Sequence, residues 1–264
     1  MSESSIARAF EALRARRRTA LIPYLTAGYP DLRSSEETLR AADELADVLE
    51  IGVPFSDPLA DGPTIQRSTF QALQQGMTLA GTLELIAKCR LRRPVVVFSY
   101  LNPILRYGVD RFLRDAAALG VAGLLLTDLP AGSDPAVEDA VIESPVDLIR
   151  LVAPTTRPER LRAAVADAEG FVYLVARLGV TGASSTLAAD LAESIARVRE
   201  ATGLPVAVGF GISSAEQAAA VGRLADGVVV GSALVDAVGS GGVAAARRFL
   251  AELRAGLDLA PAVA

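Results

Sequence analysis

Two alternating patterns of apolar positions run along this chain. Short runs dominated by consecutive apolar side chains are bounded by Gly, Pro, Asp or Ser, and between them the apolar positions recur at helical spacing. The runs are "ALIPYLT" (20–26), "DVLEIG" (47–52), "PVVVFSY" (94–100), "AGLLLTD" (122–128), "DLIRLVA" (147–153), "GFVYLVA" (170–176), "LPVAVGF" (204–210) and "DGVVVGS" (226–232). Their continuous apolar character predicts parallel strands buried on both faces. The stretches between them predict helices that include 35–46, 103–119, 157–168, 187–201 and 213–222. Ser213 or Ser214, with Glu216 following, supplies a cap, and Pro158 suits a first turn.

Eight strands with helices between them, in a chain of 264 residues, predict an α/β fold of the (β/α)8 TIM-barrel type. An open doubly wound sheet is the alternative, but its first turn is usually glycine-rich, and "TAGYPD" holds no G-x-G-x-x-G. The segment before Thr19 is expected to form an extra helix closing the barrel bottom. With no linker, low-complexity segment or clear repeat, residues 1–264 are expected to be one domain.

Composition narrows the chemistry. Hydrophobic residues make up 51% and aromatics 5%, so the interior is built from Ala, Val, Leu and Ile. A net charge of 26 − 31 = −5 argues against a nucleic-acid surface. The basic runs at 14–18 and 90–93 fall where helices should end, where cations complement the dipole. No apolar run reaches the ~18 residues of a membrane span, and "MSESSIARAFEALRARRR" lacks the order of a signal peptide, so a cytoplasmic location is expected. Cys89 is alone, which excludes an intramolecular disulfide or a cysteine metal cluster, and it reads as a buried small hydrophobe. There is no histidine, and Lys88, the one lysine, falls on an expected helix. Acid–base work is therefore left to carboxylates, tyrosine or the thiol, and a Schiff base is not expected.

Barrel enzymes carry their chemistry at the C-terminal strand ends. The last two strands run into "VGFGISS" and "VVVGSAL", where Gly209, Gly211, Gly231 and Ser232, with Gly182 after strand 6, could cradle a phosphate at helix N-termini. Alternation in "DVLEI" sets Val48 and Glu50 on one face. A carboxylate at an apolar barrel mouth has its pKa raised by desolvation, as an acid/base near neutrality requires; the competing reading is an acceptor for loop amides. Asp57 before Pro58, Asp61 before Gly62 and Asp128 before Leu129-Pro130 read on spacing alone as turn residues. Tyr173 reads as core.

The stretch "LEIGVPFSDPLADGPTIQ" (49–66) closely resembles the signature of the tryptophan synthase alpha subunit family. It is accompanied in order by "PYLTAGYPD", "SYLNPILRYG", "DLP", "LVAPTT", "GVTG", "GFGIS" and "GSALV". The resemblance implies a (β/α)8 barrel that cleaves indole-3-glycerol phosphate to indole and glyceraldehyde 3-phosphate. It implies no metal and no cofactor in this chain. Pyridoxal phosphate is expected only in a beta-subunit partner, within an alpha2beta2 complex, that condenses indole with serine. By the same resemblance Glu50 is the acid/base, Asp61 stabilises positive charge on the indole nitrogen, and Tyr173 lies close to the acid/base. Phosphate contacts fall on Gly182, Phe210, Gly211, Gly231 and Ser232. Phe98 and Leu125 line the indole pocket, and Tyr24 stands where others have phenylalanine. Thr181 orients the second carboxylate, and the segments around 54–57 and 100–107 meet the partner. Two departures from the pattern are Ala176, where many members have serine, and "AGSDP" after Pro130, where further acids are common. A free-standing indole-releasing lyase, or a silent barrel that activates a partner, are the alternatives. Cleavage of a carbon–carbon bond without a lysine imine or a metal remains coherent, because an indole protonated at carbon 3 is its own electron sink.

Overall fold

In the computed structural model, which describes residues 4–175, 185–209 and 211–259, eight parallel strands follow one another around a closed barrel. They are β1 (Ala20–Thr26), β2 (Leu49–Gly52), β3 (Val95–Ser99), β4 (Val121–Leu126), β5 (Asp147–Val152), β6 (Val172–Val175), β7 (Val206–Gly209) and β8 (Gly227–Val230). The ring closes where Ala20 to Pro23 of β1 pair with Gly227 to Val230 of β8. Each strand lies within the apolar run that predicts it, allowing for a residue or two at the ends.

The helices are α1 (Ser5–Ala15), α2 (Leu32–Leu45), α3 (Pro63–Gln74), α4 (Leu79–Cys89), α5 (Leu101–Tyr107), α6 (Val109–Ala118), α7 (Pro135–Ile142), α8 (Pro158–Val165), α9 (Ser185–Ala201), α10 (Ala215–Gly222) and α11 (Ser232–Asp258). Capping follows the sequence: Ser214 accepts from the Gln217 N–H at the start of α10, and Pro158 opens α8. The single helix expected over 103–119 is instead two. Gly108, at φ +94° and ψ 119°, separates α5 from α6, a conformation that L side chains rarely adopt.

Although the strands read as continuous apolar runs, their side chains divide by parity. Ala20, Ile22, Val96, Ile149 and Val229 point into the barrel, whereas Leu21, Leu25, Val95, Val97, Leu148, Val228 and Val230 join the layer beneath the helices. The two-residue period exists, but it is hidden because both faces are dry. α1 closes the N-terminal end. Ser4 caps it by accepting from the Ile6 and Ala7 N–H groups, and Ile6, Phe10 and Leu13, one helical stripe, pack into the barrel. The rings of Phe10 and Phe171 meet there at 5.7 Å.

The seam between the first and last elements is polar. Arg254 of α11 is 9% exposed and donates to Asp47 Oδ2 at 3.0 Å and to the Thr19 carbonyl. Asp47 in turn accepts from the Leu21 N–H. Cys89 is buried and free, and burial pushes its thiol up to about 11, so it stays protonated and inert.

Candidate active site

A cavity of about 730 Å³ opens at the C-terminal end of the barrel. Six strands place side chains in its wall, among them Tyr24 from β1, Glu50 from β2, Phe98 from β3 and Tyr173 from β6. The registers bring them together, since Tyr24 pairs with Glu50 and Phe98 with Gly52 and Leu125. The Tyr24 and Phe98 rings meet edge to face at 5.2 Å. Two glycines make this crowding possible. A Cβ on Gly52 would lie 2.0 Å from the Tyr24 hydroxyl, and one on Gly209 would lie 2.2 Å from the Tyr173 hydroxyl.

Glu50 is 1% exposed, and neither of its carboxyl oxygens has a hydrogen-bond partner among the described residues. Burial alone pushes its pKa up to about 8. An unpartnered buried carboxyl is costly to a fold and is retained where it serves chemistry. It is protonated at neutral pH and able to give that proton up. The neighbouring phenols cannot serve as bases. Tyr173 is raised well above the usual range by burial, then by the nearby Glu50, and Tyr24 is raised by burial and by Asp61.

Asp61 sits on the loop between β2 and α3 and lines the same cavity. Burial raises its pKa to about 6, against the neighbouring Tyr100 hydroxyl, which lowers it. The turn reading is also correct in its own terms: the Asp61 N–H donates to the Pro58 carbonyl, and Gly62 caps α3. Asp57 is exposed and takes a hydrogen bond from Ser56. Asp128 accepts from the Leu101 N–H at 2.7 Å, tying the end of β4 to the start of α5.

Gly211, Ser213, Gly231 and Ser232 add a polar stretch to the cavity wall. Gly231 stands at the N-cap of α11 with no side-chain cap on the helix, which leaves positive dipole and free N–H groups facing the cavity. A helix start of this kind favours negative charge nearby. The Ser213 N–H is already taken by Gln217 Oε1.

Of the residues singled out in the sequence, Tyr24, Glu50, Asp61, Phe98, Tyr173, Gly211, Gly231 and Ser232 come together here. Leu125, expected in the pocket wall, is fully buried among the inward apolar side chains and does not line the cavity. Ala176, Thr181, Gly182 and Phe210 lie outside the described residues. Sequence reasoning missed Ile65, Thr127, Leu151 and Ile212 in the wall. Leu151 was accessible by parity, two residues on from inward-facing Ile149; Ile65, Thr127 and Ile212 carry no comparable sequence signal.

The family model for the tryptophan synthase alpha chain matches residues 10–256. A tryptophan synthase alpha chain of Gloeobacter violaceus is 50% identical over 238 residues, covering 89% of this chain and 86% of that protein. That of Gluconacetobacter diazotrophicus is 48% identical over 263 residues, 96% of each. Among solved structures, tryptophan synthase of Mycobacterium tuberculosis superposes with a TM-score of 0.89 at 43% identity, covering 97% of this chain and 99% of that one. Tryptophan synthase subunit alpha of Legionella pneumophila gives a TM-score of 0.89 at 32% identity, covering 98% and 100%.

Proposed function

The chain belongs to the tryptophan synthase alpha chain family, and from that membership we propose how its residues divide the work of the reaction. The enzyme is a lyase of tryptophan biosynthesis that cleaves indole-3-glycerol phosphate. Glu50 in its protonated form delivers a proton to ring carbon 3. The ring becomes an iminium, and its positive charge at the nitrogen is held by ionised Asp61. Loss of the proton from the side-chain hydroxyl next to the ring, taken by the Glu50 carboxylate, lets the carbon–carbon bond break. The electron pair returns to the ring, releasing indole, and the other fragment leaves as glyceraldehyde 3-phosphate. Tyr173 stays a neutral phenol beside Glu50. Tyr24 and Phe98 clamp the indole, and the glycines at 211 and 231 with Ser232 hold the phosphate by backbone N–H groups and the α11 dipole. Thr181, Gly182 and Phe210 belong to the same scheme by family resemblance. No metal or organic cofactor has a part in this chain's chemistry, and pyridoxal phosphate belongs to the partner.

The observation that carries this reading is the buried, unpartnered carboxyl of Glu50 in the wall of a cavity it shares with Asp61. Glu50→Gln should abolish indole release while a phosphate-bearing ligand still binds. Rapid indole formation by that variant would remove Glu50 from its role. We also infer one barrel domain acting in the cytoplasm with a beta subunit, as an alpha2beta2 complex. Leu105, 47% exposed, lies on the 100–107 segment expected to meet that partner. Indole release assayed with and without a beta subunit decides between this arrangement and a free-standing lyase, which added partner would leave unchanged.

A further inference from the structure

Residues 53–62 form the loop that carries Asp61, and both of its limbs converge on one side chain outside it. At its base the Val53 N–H donates to the Phe98 carbonyl at 2.9 Å. On the outgoing limb Phe55 packs against the Tyr100 ring at 5.2 Å between centroids, tilted by 36°. On the returning limb the Ala60 N–H donates to the Tyr100 hydroxyl at 2.9 Å. The same hydroxyl lies beside the Asp61 carboxylate, close enough to lower its pKa. Tyr100 itself is fixed: it is 5% exposed, stands at the N-cap of α5, and the next residue's N–H is held by Asp128.

A phenol has one proton and two lone pairs. Because Ala60 N–H fills an acceptor position, the Tyr100 proton is left for Asp61, which when ionised can only accept. Thr127 Oγ1 is buried near the phenol oxygen, close enough to lower the Tyr100 pKa but without the geometry of a hydrogen bond. The phenol, pushed up to about 12 by burial and by Asp61, stays protonated throughout the working range.

We propose that Tyr100 is a positioning residue for Asp61: its ring seats one limb of the 53–62 loop, and its hydroxyl, by holding the Ala60 amide next door, sets where the Asp61 carboxylate stands. The proposal rests on the reading of Asp61 as the group that meets charge on the indole nitrogen. Burial and the hydroxyl act on Asp61 in opposite directions, and the balance leaves its pKa at about 6. Removing the hydroxyl leaves burial unopposed, so the pKa rises. Other titratable groups on the same cavity are Tyr24, Glu50, Tyr173 and Asp236, the last paired with Arg67 of α3 at 3.1 Å. All of them are present in both wild type and variant.

Tyr100→Phe keeps the ring and the Phe55 contact while deleting the hydroxyl. It should lower kcat about ten-fold at pH 7 with KM within about two-fold, and move the acid limb of the kcat profile up by about one pH unit. Carboxyl-carbon NMR of Asp61 should show the same upward movement of its titration midpoint, independent of turnover. In an Asp61→Asn background the substitution should add little, since the two act as a unit. An unchanged acid limb and NMR midpoint, or an equal kcat loss in both backgrounds, would overturn the proposal. Near-normal turnover by Asp61→Asn alone would overturn the role of Asp61 and the proposal with it, whereas a dead Asp61→Asn beside a wild-type-like Tyr100→Phe would overturn only the role of Tyr100.

Discussion

At the α1 end of the barrel interior, Ile6, Phe10 and Leu13 meet the apolar Ile22, Val48, Val96 and Phe171, and the carboxyl nearby, Asp147, takes a hydrogen bond from Ser4 of the α1 cap. Two residues further along the same strands, the inward positions are Tyr24, Glu50, Phe98 and Tyr173. Backbone, twist and alternation are shared, so the difference lies in side chains and in what covers each end. A helix capped by Ser4 seals the first; the second is left open to about 730 Å³ of cavity. The sealed end supplies stability that the open end spends on an unpartnered buried carboxyl. One barrel thus separates its structural and chemical duties along its own axis rather than between domains.

The largest test of that division is Glu50→Gln, expected to reduce kcat by at least about 10³-fold. The same change should make the fold more stable. Below the unfolded pKa both states carry the proton and there is no penalty. As pH rises toward about 8 only the unfolded chain releases it, so the folded state loses ground. Glu50→Gln should therefore gain on the order of 2–3 kcal/mol at pH 7, vanishing below about pH 4, as read by urea unfolding across pH. No gain at neutral pH would mean that Glu50 is solvated or partnered after all. Asp61→Asn comes next, at about 10²-fold in kcat, because a focused charge at a developing cation is worth several kcal/mol. In the wild type, kcat should fall below about pH 6 as Asp61 takes a proton and above about pH 8 as Glu50 loses one. A profile flat from pH 5 to 9 would break that assignment.

Gly209→Ala should cost about ten-fold in kcat by displacing the Tyr173 ring, with the phosphate end intact. Phe10→Ala, at the sealed end, should leave kcat unchanged while removing about 3 kcal/mol of stability. A kcat loss there would show that the two ends are coupled through the barrel and blur the comparison.

Much of this was readable in advance, for reasons that differ by residue. The eight strands were legible because burial on both faces leaves continuous apolar runs. Glu50 stood out because a carboxylate in such a run has no routine structural use. Asp61 did not, since D-G is a common turn and the residue does cap a turn here; only family resemblance separated the two roles. Gly108 breaks an otherwise helical stretch by a φ that periodicity does not record. Tyr100 could not be assigned, because its partner amide is 40 positions away and the pairing exists only once β2 and β3 lie side by side.

The seam at Arg254 bears on how the chain comes off the ribosome. Through Thr19 and Asp47, this arginine joins the helix made last to the two strands made first, and β1 has no second neighbour until β8 exists. The nascent N-terminal half therefore waits with an exposed parallel edge until residues 227–258 emerge. Premature termination anywhere before that point yields not a smaller enzyme but a sticky half-ring, a natural client for chaperones.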